Sequence, residues 1–167
     1  MEANLEIKYI FTNVSDWLKY AETMHAGLIV LNSGLIIGII LGYNNFLPFI
    51  YTPTVLIGMI CFTISFLISI ISRFPVTPNI FYNKKNILNP NLYFFEDLSE
   101  MDNQTFVEEL RKVDKDFSPS KLDTDLIIQV LINFRIPQSK YNLFKFAGYL
   151  TGFSSGLIGV ASIIKVL

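Results

Sequence analysis

Cysteine, histidine and charge are all scarce in this chain, and each shortage removes a class of function. A lone cysteine, Cys61, excludes an internal disulfide. A lone histidine, His25, leaves too few nitrogen and sulfur donors for a His/Cys metal centre. It also leaves no credible Ser–His–Asp set, because it stands at the edge of an apolar run. Charged residues make up 16% of the chain, against about 25% in ordinary soluble domains. The net charge of −1 gives no bulk attraction for a polyanion, so no nucleic-acid polymer is expected as a partner. A Gly-rich phosphate loop ending in Lys-Ser/Thr, an HExxH and a CxxC are all missing. The acids Glu96, Asp97, Glu100 and Asp102 read as a solvated face rather than an acid–base pair. No enzyme, catalytic residue, metal or cofactor is expected.

Apolar residues are what the chain has in excess. They make up 51% of it, and the mean hydropathy is +0.45. Three runs carry no charge: 26–43, 46–72 and 146–164. A bilayer core of roughly 30 Å needs about 20 apolar residues of helix, and each run is about that long. The spacing predicts an all-α membrane protein with three transmembrane helices and a small helical cytoplasmic region inserted between the second and third. The expected division is an interfacial amphipathic helix over 1–25, a two-helix transmembrane hairpin over 26–72, a cytoplasmic sensing region over 73–140 and a third span over 141–167. The first run is read as a span rather than a cleaved leader, since Glu2, Glu6, Asp16 and Glu22 precede it. Every Lys and Arg except Lys165 lies before residue 26 or between 73 and 145. The positive-inside rule then puts the N-terminus and the middle segment in the cytoplasm.

Small residues recur every four positions within the runs. Gly34, Gly38 and Gly42 do so in the first, Gly148, Gly152 and Gly156 in the third, and Cys61, Ser65 and Ser69 in the second. Such ladders let helix backbones approach closely in lipid. They fit packing within one chain or between copies in a homo-oligomer. Asn32 lies within the first run, where an amide needs a partner. A helix–helix hydrogen bond and a wet, conductive seam are both open readings.

Outside the runs, Leu5, Tyr9, Trp17 and Tyr20 are expected along a membrane-surface helix, with Ser15 or Asp16 capping a helix into the first span. Pro75, Pro78 and Pro90 forbid a long helix after the second run. Tyr93–Phe95 is expected as a short strand or buried plug. Asp102 caps a helix over 105–113 with Phe106, Val107, Leu110 and Val113 inward. Another helix starts near Asp123, kinks at Pro137 and enters the third span.

The order of these parts resembles one known family. The run KYAETMHAGLIVLN, residues 19–32, is similar to the opening of the Pycsar effector membrane proteins, where an acid, then Lys–Ala, precedes an apolar stretch with an Asn about seven residues on. Glu22, His25, Ala26 and Asn32 fill that pattern, with His25 standing where the family has Lys. NPNLYFFEDLSEMDNQTFVEEL and TDLIIQVLINFRIPQSKYNLFKFAG resemble its later segments. The resemblance implies a bacterial antiphage effector in the inner membrane, activated by cyclic CMP or cyclic UMP and damaging the bilayer. Such a ligand needs a cation for its phosphate, an aromatic face and amides for the base edge. Arg73, Lys84, Lys85, Tyr93, Gln129, Arg135 and Lys140 are the candidates for that role. An accessory membrane subunit and a constitutive channel component are the competing readings.

Overall fold

The structure, a computed structural model, describes residues 2–41, 53–74 and 91–166. Every regular element among them is a helix: α1 (Glu2–Leu41), α2 (Pro53–Ile71), α3 (Phe95–Glu100), α4 (Asn103–Val113) and α5 (Lys121–Val166). They form two compact units. Unit 1 comprises Met1–Ala21 and Val76–Tyr141, and unit 2 comprises Glu22–Pro75 and Asn142–Leu167. Helices α1 and α5 therefore each contribute residues to both. The expected prolines 75, 78 and 90, the ladder residue Gly42 and the candidate cations Lys84 and Lys85 lie outside the described residues.

Unit 1 is built on an apolar core. Ile7, Ile10 and Val14 project from one stripe of α1, Phe106 and Leu110 from α4, and Ile127, Val130, Leu131 and Phe134 from α5, closed by Leu98, Met101 and Phe117. Each set follows the helical repeat that puts residues three and four apart on one face. The N-terminal segment differs from expectation in its helix start. Its helix starts at Glu2 and runs through Ser15 and Asp16 without a new start. Extending an existing helix costs far less than nucleating a second, and no Pro or Gly interrupts it here. Leu5 and Tyr9 are exposed, and the opposite stripe of Ile7, Ile10 and Val14 is buried in the core of unit 1.

The short helices are set by side-chain caps. Asp102 Oδ1 accepts from Thr105 N at 2.8 Å, as the sequence led us to expect, and α4 begins one residue later. Helix α5 begins two residues before Asp123 because Ser120 caps it. Ser120 N donates to Asp123 Oδ2 at 2.9 Å, and Asp123 N donates back to Ser120 Oγ at 3.2 Å. This reciprocal pairing is the capping box, with Asp in the third helical position. The helix then continues through Pro137 to Val166. Tyr93 and Phe94 form neither strand nor plug. They lie in a turn held by Asn91, whose Oδ1 accepts from Tyr93 N at 2.9 Å, and both are exposed.

Unit 2 carries polar groups inside an apolar exterior. Its interior mixes His25, Asn32, Ser65, Ser69, Ser72, Thr151 and Ser154 with Leu28, Val55, Phe62 and Ala147, and its exterior carries Val30, Leu31, Ile37, Ile40, Ile57, Ile60, Ile64, Leu67, Phe146 and Phe153. Two helices, Leu5–Leu41 within α1 and Pro53–Ile71, are long and apolar enough to cross a membrane.

Truncating the core should unfold unit 1. Phe134→Ala is expected to cost about 3–5 kcal/mol, against about 1 kcal/mol for removing the cap in Asp102→Ala. Thermal unfolding of the detergent-purified chain, followed by the fluorescence of Trp17, reads both.

Candidate functional site

Two clusters of buried polar side chains are candidates, one in each unit. The first is in unit 2 and joins α1, α2 and α5. Asn32 Nδ2 donates to Ser65 Oγ at 3.3 Å, and Thr151 Oγ1 donates to Asn32 Oδ1 at 3.1 Å. Ser65 Oγ lies 2.7 Å from Thr151 Oγ1 and donates to the Ala147 carbonyl at 2.7 Å. Two turns away, Ser72 Oγ lies 2.8 Å from His25 Nε2, and the His25 ring meets Phe144 edge-on with centroids 5.8 Å apart. Each helix supplies these groups at heptad spacing: His25 and Asn32, Ser65 and Ser72, Phe144 and Thr151. That repeat keeps one seam of each helix facing its neighbours.

The glycine ladders are not part of this seam. A Cβ at Gly34, Gly38, Gly148, Gly152 or Gly156 would meet nothing within 4 Å. Packing within the chain uses a different glycine. A Cβ at Gly58 would lie 3.2 Å from Ile158 Cγ1 and 3.5 Å from the Ser154 carbonyl. Gly58 was missed because it belongs to no ladder; its signal is its four-residue step to the buried Phe62, a residue too large to mark as a contact point. Of the second run's small residues, Ser65 and Ser69 are buried and Cys61 is only half-buried.

The second cluster is in unit 1, on the middle of α5. Pro137, Gln138, Ser139 and Lys140 are consecutive and all buried. Four consecutive residues cover all sides of a helix, so α5 is enclosed at this turn. Arg135, one turn earlier, donates from Nε to the Ser99 carbonyl at 3.4 Å, which ties it to the end of α3. Ser99 and Glu100 are buried as well. The sequence reading named Arg135 and Lys140 here but chose Gln129 as the amide. Gln129 is exposed, and the buried amide is Gln138. Its position four residues beyond Phe134 was the available signal.

The remaining candidates are elsewhere. Arg73 belongs to unit 2, where its Nη1 donates to the Glu22 carbonyl at 3.3 Å. Tyr93 is in unit 1 but is engaged with α1: its hydroxyl donates to Glu6 Oε1, and its ring meets Tyr9 edge-on with centroids 6.1 Å apart. The Glu6 hydrogen bond, with lesser contributions from burial and from the Glu6 charge, raises the phenol above its ordinary value of 10.0.

A family model described as the Pycsar effector protein domain matches residues 6–166. The chain belongs to that family. The match takes in both polar clusters and nearly all of both units. No curated protein and no solved structure matches. Membership assigns this Pycsar effector an antiphage role, and its two apolar helices accord with association with a membrane. His25, the departure from the family pattern noted above, faces the interior of unit 2 and is fully buried.

Asn32→Leu should weaken unit 2 by about 0.6–2 kcal/mol, the range for a polar contact between membrane helices. Gly38→Leu should leave the thermal midpoint of the detergent-solubilised monomer unchanged, and differential scanning measures the contrast. Tyr93 is expected to ionise above its ordinary value of 10.0. A raised phenol pKa favours the neutral form in the folded chain, so the Tyr93–Glu6 bond contributes below pH 10.0 and is lost as pH rises through the raised value. Phenolate absorbance against pH, repeated on Tyr93→Phe and Glu6→Gln, follows this step.

Proposed function

We propose that this Pycsar effector is a multi-pass protein of the bacterial inner membrane in which unit 1 senses a cyclic mononucleotide, cyclic CMP or cyclic UMP, and unit 2 impairs the bilayer in response, arresting growth. The observation that carries the reading is the difference in polarity between the two units. An apolar interior is stable in water, and polar groups inside an apolar exterior are stable in lipid. The apolar run 146–164 on α5 would supply the third span. The distribution of Lys and Arg supports a cytoplasmic unit 1, where a cyclase product would reach it.

In unit 1, two of the groups a cyclic nucleotide needs lie on one face of α5: Arg135 as a cation for the phosphate and Gln138 as an amide, with Lys140 a second cation on the far side of the same turn. Binding acts without catalysis: the ligand favours one arrangement of unit 1 over another by its difference in affinity. Since α1 and α5 also supply residues to unit 2, a change in either helix bears on the Asn32–Ser65–Thr151 junction. The open glycine faces at Gly34, Gly38, Gly148, Gly152 and Gly156 favour self-association of the triggered form into a homo-oligomer.

The purified chain in liposomes should release entrapped dye only when a cyclic mononucleotide is added, from a panel that also contains cyclic di- and oligonucleotides. Arg135→Ala should raise the nucleotide concentration needed by roughly tenfold or more, as expected for loss of a charge-assisted hydrogen bond, while membrane insertion, read by carbonate extraction, is unchanged. Release without any nucleotide would favour a constitutive channel, and no binding to any nucleotide would favour an accessory subunit.

A further inference from the structure

The chemistry of Gln138 is incomplete in this fold. It continues the core stripe of α5 one turn past Phe134, where apolar residues fill the interior of unit 1. Its side chain is 7% exposed, and Oε1 has no hydrogen-bond partner among the described residues. A buried amide oxygen without a donor is destabilising, and a leucine of similar volume would avoid the penalty. No described residue supplies a donor to this oxygen, so it is available to an N–H of a bound ligand. The surroundings fit that conclusion. Arg135 lies on the same face three residues earlier, tied to the Ser99 carbonyl.

We propose that Oε1 of Gln138 accepts an N–H from the base edge of the bound cyclic mononucleotide: the N4 amino group of a cytosine or the N3–H of a uracil. The amide Nε2 then donates to the acceptor beside it on the ring, a pairing that one carboxamide makes with either edge. This assignment rests on the cyclic-nucleotide reading of unit 1 and adds the residue that distinguishes the base from its phosphate. Gln138 is a specificity determinant, with Arg135 as the neighbouring phosphate contact.

The test uses the full chain in detergent and measures affinity by calorimetry for two ligand pairs. One pair is cyclic CMP and its analogue with hydrogen in place of the N4 amino group. The other is cyclic UMP and its 3-deaza analogue, in which N3–H becomes C–H. Neither replacement adds bulk. The wild-type chain is expected to prefer the parent of the pair it binds by at least tenfold, and Q138L to reduce that preference to less than about threefold. The thermal midpoint of Q138L should equal or exceed that of the wild type, because the orphaned oxygen is gone. If Q138L keeps both affinity and preference, the assignment is overturned while nucleotide sensing stands. If Q138L does not fold, the wild-type preference decides alone: equal affinity for parent and analogue overturns the assignment. If the wild type binds none of the four ligands, the sensing reading and this assignment both fall.

Discussion

Ser65 Oγ is the point on which unit 2 closes. One hydroxyl from α2 meets an amide from α1, a hydroxyl from α5 and a carbonyl from α5, all within 3.3 Å. In water such a junction would be weak, since every partner has water as an alternative. Surrounded by Leu, Ile, Val and Phe, these groups have few alternatives but one another. Hydrophobic burial does not hold helices together in a bilayer, because lipid tails are as apolar as leucine. Within unit 2, α1, α2 and α5 meet through these hydrogen bonds and through close contact at Gly58. The rest of the chain is arranged around that constraint.

Unit 1 follows the opposite rule and is held by Phe106, Phe134, Ile7 and their neighbours, all removed from solvent. The two rules occur on the same helices. Along α1, buried Ile7, Ile10 and Val14 give way to buried His25 and Asn32. Along α5, buried Ile127 through Phe134 give way to Thr151 and Ser154. The interior residue type changes along each helix with no break in the helix. Between these regimes on α5 lies the enclosed turn from Pro137 to Lys140, where polar side chains are buried within unit 1.

Much of this organisation was legible in the residues, and the exceptions have physical causes. The apolar runs and the cap at Asp102 were readable because each depends on local composition or on contacts three residues away. The glycine ladders were equally readable as patterns, but their function within the chain was not: five of their members have open space where a side chain would be. A ladder records that a close approach is permitted and says nothing of which neighbour makes it. The second apolar stripe of the N-terminal helix was not legible in the same way: Ile7, Ile10 and Val14 are buried against groups far along the chain, while Leu5, Tyr9 and Tyr20 are exposed. Tyr93 was chosen for its ring, but its hydroxyl is taken by Glu6, a residue 87 positions away.

By itself, the order of residues determined that the chain is helical, that parts of it are suited to lipid, where short helices begin, and which family it belongs to. These properties depend on period, length and near neighbours, all carried within a few turns of backbone. Only the tertiary structure decided which polar groups meet, that Gln138 rather than Gln129 is the buried amide, that Arg73 and Arg135 belong to different units, and that the N-terminal twenty residues complete the core of the middle segment. Those outcomes depend on groups brought together from 33 to 119 residues apart. At that separation, the identity of a partner is fixed by how whole helices pack and not by any local pattern.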